Sequence, residues 1–158
     1  MAMRFQGLRV VAIAGVAAAL AAGGAFAAQT AAQTIGARQA GYKQMGAAFK
    51  TINDQLRASA PDTAAIAAAA QRIGEISKAQ YGWFPKGSGP EAGVKTRAKP
   101  DIWSDPSGFA AAQKALEVEA AKMQRLATAK DVAGVKAQVK ALGGACASCH
   151  KAYRAEEG

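Results

Sequence analysis

Residues 131–156 read DVAGVKAQVKALGGACASCHKAYRAE. Within them Val132, Val135, Val139, Leu142, Cys146, Cys149 and Tyr153 recur at alternating intervals of three and four. That spacing draws one apolar stripe along an α-helix packed against other helices. Asp131 starts this helix, which is expected to run to about Glu156. The same pattern appears three more times upstream. Ser104-Asp105-Pro106 is a cap followed by a first-turn proline. It opens a helix to about Lys130 that turns Phe109, Gln113, Leu116, Ala120, Met123 and Ala127 inward. A helix from about Asp62 to Gln80, capped by Asp62 or Thr63, carries Ile66, Ala69, Ala70, Ile73 and Ile76 on one face. Its small residues leave room for something bulky to come close. The first stretch, from about Thr30 to Ser59, has the seam Ile35, Arg38, Tyr42, Met45, Phe49, Ile52 and Leu56, and Ala60-Pro61 ends it. The chain is 51% hydrophobic but only 6% aromatic, and alanine-rich sequence of this kind favours packed helices over sheet. The expected fold is all-α, an antiparallel up-down-up-down four-helix bundle. Residues 81–103 form the one long irregular segment. Tyr81, Trp83, Phe84 and Trp103 mark it as a packed loop.

The end of the last helix carries chemistry. Cys146-Ala147-Ser148-Cys149-His150 is C-x-x-C-H, the pattern of covalent c-type haem attachment. Two thiols can add to the two vinyl groups of one haem, and the next residue offers an imidazole to its iron. On a helix the three side chains fall within an arc of roughly 100°, so all can meet one flat group. Competing chemistries fare worse. A thiol–disulfide motif expects a βα setting, and no strand is evident. A zinc site lacks a fourth ligand, because the chain has only two cysteines and one histidine. A disulfide within one helical turn would constrain almost nothing. A second histidine ligand to the iron is excluded by the same count.

The N-terminus reads as a leader. Arg4 and Arg9 precede the apolar run from Val10 to Ala22, and Ala25-Phe26-Ala27 has the small-x-small form of a cleavage site. The run is short for a membrane span, which needs ~20 residues. Residues 1–27 are therefore expected to be a cleaved secretory signal, and residues 28–158 a haem-binding four-helix bundle domain. Export is expected to place the protein outside the cytoplasm, with no membrane segment in its mature form. The formal net charge of the whole chain is +9. Its lysines are scattered along helical faces, and with export this argues against a nucleic-acid partner.

Arg38 lies on an inward position of the first helix, where a cation is costly unless paired; the two haem propionates would pair it. Opposite His150, the sixth position of the iron could face Tyr42, Met45 or Phe49. A methionine thioether would make a six-coordinate carrier, whereas a bulky apolar or aromatic group would leave the iron five-coordinate. Spacing alone does not choose among them.

Four segments carry a family likeness: Arg38-Gln39-Ala40-Gly41-Tyr42, Lys95-Thr96-Arg97-Ala98-Lys99-Pro100, Ile102-Trp103-Ser104-Asp105, and Cys146 to Arg154. Together they resemble cytochrome c′, the class II c-type cytochromes, which are themselves a standard example of this bundle. The resemblance implies one haem c bound through Cys146 and Cys149, His150 as axial ligand, and a homodimer in the periplasm. Helices one and two usually form that dimer's interface. It implies propionate contacts from Arg38 and Gln39, and from Thr96 and Arg97 in the loop. Tyr42 would be the distal blocking residue, and Arg154 a basic residue on the proximal side that influences the approach of nitric oxide. Tyrosine where low-spin relatives keep methionine favours five-coordinate, high-spin iron. The expected function is binding of NO and CO together with electron exchange, not catalysis. A peroxidase would need a distal acid–base group, and no second histidine exists. The alternative is a low-spin electron carrier with methionine, in practice Met45, as sixth ligand. No redox partner can be named from the sequence.

Overall fold

Aspartates set three of the four bundle helices going. The carboxylate of Asp62 accepts from the backbone N–H groups of Ala64 and Ala65 at 2.8 and 3.1 Å. Asp105 accepts from Gly108 at 3.0 Å and Asp131 from Gly134 at 2.8 Å. Each satisfies donors that the first helical turn would otherwise orphan. The protein is seen here as a computed structural model that describes residues 19–156, with side chains from residue 30 on. The expected leader over residues 1–27 lies outside these, save for helical backbone from residue 19.

The elements in chain order are α1 (Ala19–Arg57), α2 (Thr63–Ala79), a single-turn α3 (Asp101–Ser104), α4 (Pro106–Thr128) and α5 (Val132–Tyr153). Helix α1 packs on α2, α2 on α4, and α4 on α5. With short links between α1 and α2 and between α4 and α5, this is the expected antiparallel four-helix bundle. Among the described residues there is no strand, only an isolated antiparallel bridge between Ala98 and Arg154. No described helix is long and apolar enough to cross a membrane.

The inward stripes are those expected from spacing. Ile35, Met45, Ile52, Ile66, Ala69, Ala70, Ile73, Ile76, Leu116, Ala120, Met123, Ala127, Val135 and Leu142 are all buried. Helix α5 stops at Tyr153, not near Glu156. Its continuation is drawn into pairing with the loop, where Lys99 N–H donates to the Tyr153 carbonyl at 3.0 Å and Ala155 N–H to the Arg97 carbonyl at 2.8 Å. The loop between α2 and α4 is packed, as its aromatics imply: Ser88 and Gly89 are buried, and 3-10 turns form at Gln80–Gly82 and Pro90–Ala92.

Helices α1 and α5 close the bundle and share few contacts. They approach at Phe49 and Gly143. Beyond that level a cavity opens between residues 38–46 of α1 and residues 146–153 of α5, with Arg154 just past its end.

Candidate functional site

The cavity has a volume of about 520 Å³. Cys146, Cys149 and His150 line it from α5, and Arg38, Gln39, Tyr42 and Met45 from α1. Leu116, Phe109, Phe84 and Ile102 complete apolar walls, while Thr96, Arg97 and Arg154 stand at its polar rim. Every candidate haem-site residue named from the sequence therefore reaches one cavity, except Phe49, which packs against the core.

Both cysteines are free and half-buried. Burial pushes each thiol pKa up, that of Cys149 further through Cys146; both are neutral thiols near pH 7. Burial, and then the charges of Arg154 and Arg97, hold the His150 imidazole below its ordinary pKa. Its neutral form, the one that can donate a lone pair to iron, is thereby favoured. No other group of metal-binding side chains occurs among the described residues.

On the facing wall, Tyr42 packs edge-on against Trp83 with ring centroids 5.1 Å apart, and lies 6.4 Å from Phe84. Its hydroxyl donates to Gln80 Oε1 at 3.1 Å. Burial first, then the neighbouring Cys149 thiol, raise the phenol pKa well above its usual value against the opposing pull of Arg38. Met45 lies one turn along α1 and belongs to the buried core cluster.

Arg38 is 3% exposed, and the loop pairs it. Its guanidinium donates to the Ser88 carbonyl at 2.7 Å, Ser88 Oγ at 3.1 Å, Thr96 Oγ1 at 2.7 Å and the Trp83 carbonyl at 3.4 Å. It also sits 4.8 Å over the Phe84 ring. The buried cation therefore does not depend on a bound carboxylate, although desolvation still lowers its pKa. Arg38 and Thr96, expected on the same side of the haem, are brought together. Gln39 Nε2 reaches the Lys95 carbonyl at 3.0 Å. Arg97 parts from Thr96: its Nε donates to the Ala155 carbonyl at 2.8 Å, which places it beside Arg154 and His150.

Sequence reasoning gave no part in the site to Gln80, Ser88 or Phe84. Gln80 continues the α2 stripe of Ile73 and Ile76, and a polar residue on such a stripe is the signal that could have found it. Ser88 had none, because a loop serine is ordinarily solvated.

The residues present fit a covalently held haem: two neutral thiols and a neutral imidazole on one wall, apolar surfaces for the macrocycle, and cations in the cavity lining for its carboxylates. Comparisons with known proteins agree. A family model described as Cytochrome C′ matches residues 33–154. The cytochrome c′ of Rhodopseudomonas palustris is 36% identical over 152 residues, covering 95% of this chain and 98% of that one. Cytochrome c-554 of Cereibacter sphaeroides is 40% identical over 74 residues, 47% of this chain and 48% of its own length. Among solved structures, a cytochrome c′ with ligand-controlled dimer dissociation aligns with TM-score 0.74 and 28% identity, over 80% of this chain and 97% of that one. A nitric oxide complex of a cytochrome c prime variant from Alcaligenes xylosoxidans aligns with TM-score 0.71 and 27% identity, over 79% and 95%.

Proposed function

The chain belongs to the cytochrome c′ family, whose members carry a covalently attached c-type haem, and on that premise we propose that it is a periplasmic haem protein whose five-coordinate iron binds NO or CO and exchanges electrons. The observation that carries this reading is the opposition of Cys146, Cys149 and His150 on α5 to Tyr42 on α1 across one cavity. When bound, the haem supplies an iron that changes between ferric and ferrous and takes a diatomic ligand. Cys146 and Cys149 would hold it by thioether bonds, and His150 would ligate its iron. Arg38, Gln39 and Thr96 would offer donors to its propionates, while Arg97 and Arg154 would be basic neighbours on the His150 side.

Tyr42 fills the opposite side with an aromatic ring that is no strong iron ligand while its phenol stays protonated, and its raised pKa keeps it so. The cavity is apolar around it, which suits NO and CO better than dioxygen, a ligand that draws more on polar support. Relatives with bound nitric oxide and with ligand-responsive dimers support gas binding and a homodimer here. Met45 lines the same cavity and is the ligand that a six-coordinate electron carrier would need, but it is packed into the core cluster one turn farther along α1.

Replacing Tyr42 by alanine opens the gate. Carbon monoxide association should quicken about tenfold or more, the equivalent of ~1.4 kcal/mol off the barrier. Flash photolysis measures it, and an unchanged rate would remove Tyr42 from the gate.

A further inference from the structure

Gln80 occupies the end of α2 and is 1% exposed. Its side-chain amide has a single arrangement that satisfies it. Nε2 donates to the Ser77 carbonyl at 2.9 Å and to the Gln113 carbonyl at 3.3 Å. Both amide hydrogens are thereby committed to acceptors. A flipped amide would set Oε1 against two carbonyl oxygens, so Oε1 must face Tyr42. Gln113 secures the arrangement from α4, its Nε2 donating to the Gln80 backbone carbonyl at 3.2 Å. Gln80 Oε1 can only accept, so the Tyr42 hydroxyl can only donate to it, at 3.1 Å. A phenol has one proton, and this contact consumes it.

We propose that Gln80 is a positioning and specificity-determining residue: by taking the one proton of Tyr42, it makes the tyrosine present an aromatic ring, and no hydrogen-bond donor, to a gas in the cavity. The inference rests on the gate reading of Tyr42 given above. Its consequence is chemical selectivity. Carbon monoxide and nitric oxide lose little where the facing tyrosine offers no donor, whereas dioxygen loses support. A tyrosine in this position would otherwise be an obvious donor, so the apolar character of the site is made by the second residue of the pair, not by the first.

The test is the infrared stretch of carbon monoxide bound to the reduced holoprotein, which moves to lower wavenumber when a donor reaches the gas. In Tyr42→Phe the stretch should stay where it is in the wild type, because no donor is lost. In Gln80→Met the freed hydroxyl turns to the gas and the stretch shifts down; in the double variant Gln80→Met/Tyr42→Phe the shift disappears. A purely structural role for Gln80 would lower the urea midpoint without producing a downshift that depends on the Tyr42 hydroxyl. If Tyr42→Phe alone raises the stretch, the phenol already serves the gas and the proposal is wrong. It is equally overturned if Gln80→Met leaves the stretch in place while Tyr42→Ala still speeds carbon monoxide binding, an outcome that spares the gate. Should Tyr42→Ala change no rate, the gate reading falls and the proposal with it. Tyr42→Phe leaves the buried Gln80–Gln113 pair intact, so its arm holds even if Gln80→Met folds poorly.

Discussion

A Cβ on Gly41 would collide with Cη2 of Trp83. The tryptophan therefore lies directly on the α1 backbone, and from there supports the Tyr42 ring. Two effects of Gly41→Ala compete. Alanine gains up to ~1 kcal/mol in helix propensity, while forcing a methyl into a packed contact costs about 1–3 kcal/mol. Steric crowding should win, lowering the urea midpoint by the equivalent of about 1 kcal/mol and disturbing Tyr42. A variant as stable as the wild type would show that Trp83 moves aside freely. At this scale the sequence was informative where chemistry is local. Cys146, Cys149 and His150 are legible because the spacing of their chemistry is their signature. The partners of Arg38 were not legible, because Ser88 and Thr96 lie 50 and 58 residues away and only the folded loop brings them to it. Cys146→Ser is expected to give lost or heterogeneous covalent haem on a denaturing gel stained for haem, and a normal stain would contradict the attachment.

Helices were the most legible elements. Their stripes and aspartate caps are written in short-range order, and the observed bounds of α2 and α4 differ from the expected ones by two residues at most. The end of α4 was less so. Lys130 adopts φ 56°, with its N–H on the Ala127 carbonyl and the Asp131 N–H on the Leu126 carbonyl, each at 3.0 Å. This is a Schellman ending, which glycine usually supplies. A lysine there carries a left-handed cost of roughly 1–2 kcal/mol and leaves no glycine signal to read. Lys130→Gly should relieve part of it, raising stability by about 0.5–1 kcal/mol after the entropy that glycine adds to the unfolded chain. Chemical denaturation checks this, and a destabilised variant would contradict it. The early stop of α5 was hidden for a different reason: helix-compatible residues after Tyr153 are diverted by a bridge to Ala98 that depends on tertiary contact.

Across the whole molecule, several surface carboxylates hold depressed pKa values. Asp105 is lowered chiefly by the Gly108 N–H and then by the Tyr153 hydroxyl. Asp54 is lowered by Lys50, Glu75 by Gln71 and Arg72, and Glu117 by Lys114 and Tyr81. The folded state therefore binds fewer protons than the unfolded one as these groups titrate. Their contribution is fully present above the unfolded pKa values of roughly 4 and is lost as pH falls through the lower folded values. Thermal midpoints should hold between pH 7 and 5 and drop below about pH 4. Asp105→Asn keeps the cap and should flatten that drop; a pH slope equal to the wild type would mean that Asp105 contributes none of it. The bundle, with its sites at the open seam between first and last helices, was legible from four stripes. Which residue turns toward the iron was not, since Tyr42 and Met45 share one stripe and one cavity.

The visible spectrum of the purified, dithionite-reduced protein, recorded before and after carbon monoxide, tests the central claim most directly. A broad high-spin spectrum that sharpens on adding the gas is the predicted result, because in the proposed arrangement His150 would be the iron's one ligand from the protein and Tyr42 would only shield it. A sharp low-spin spectrum indifferent to carbon monoxide would contradict the account and make Met45 the sixth ligand of an electron carrier.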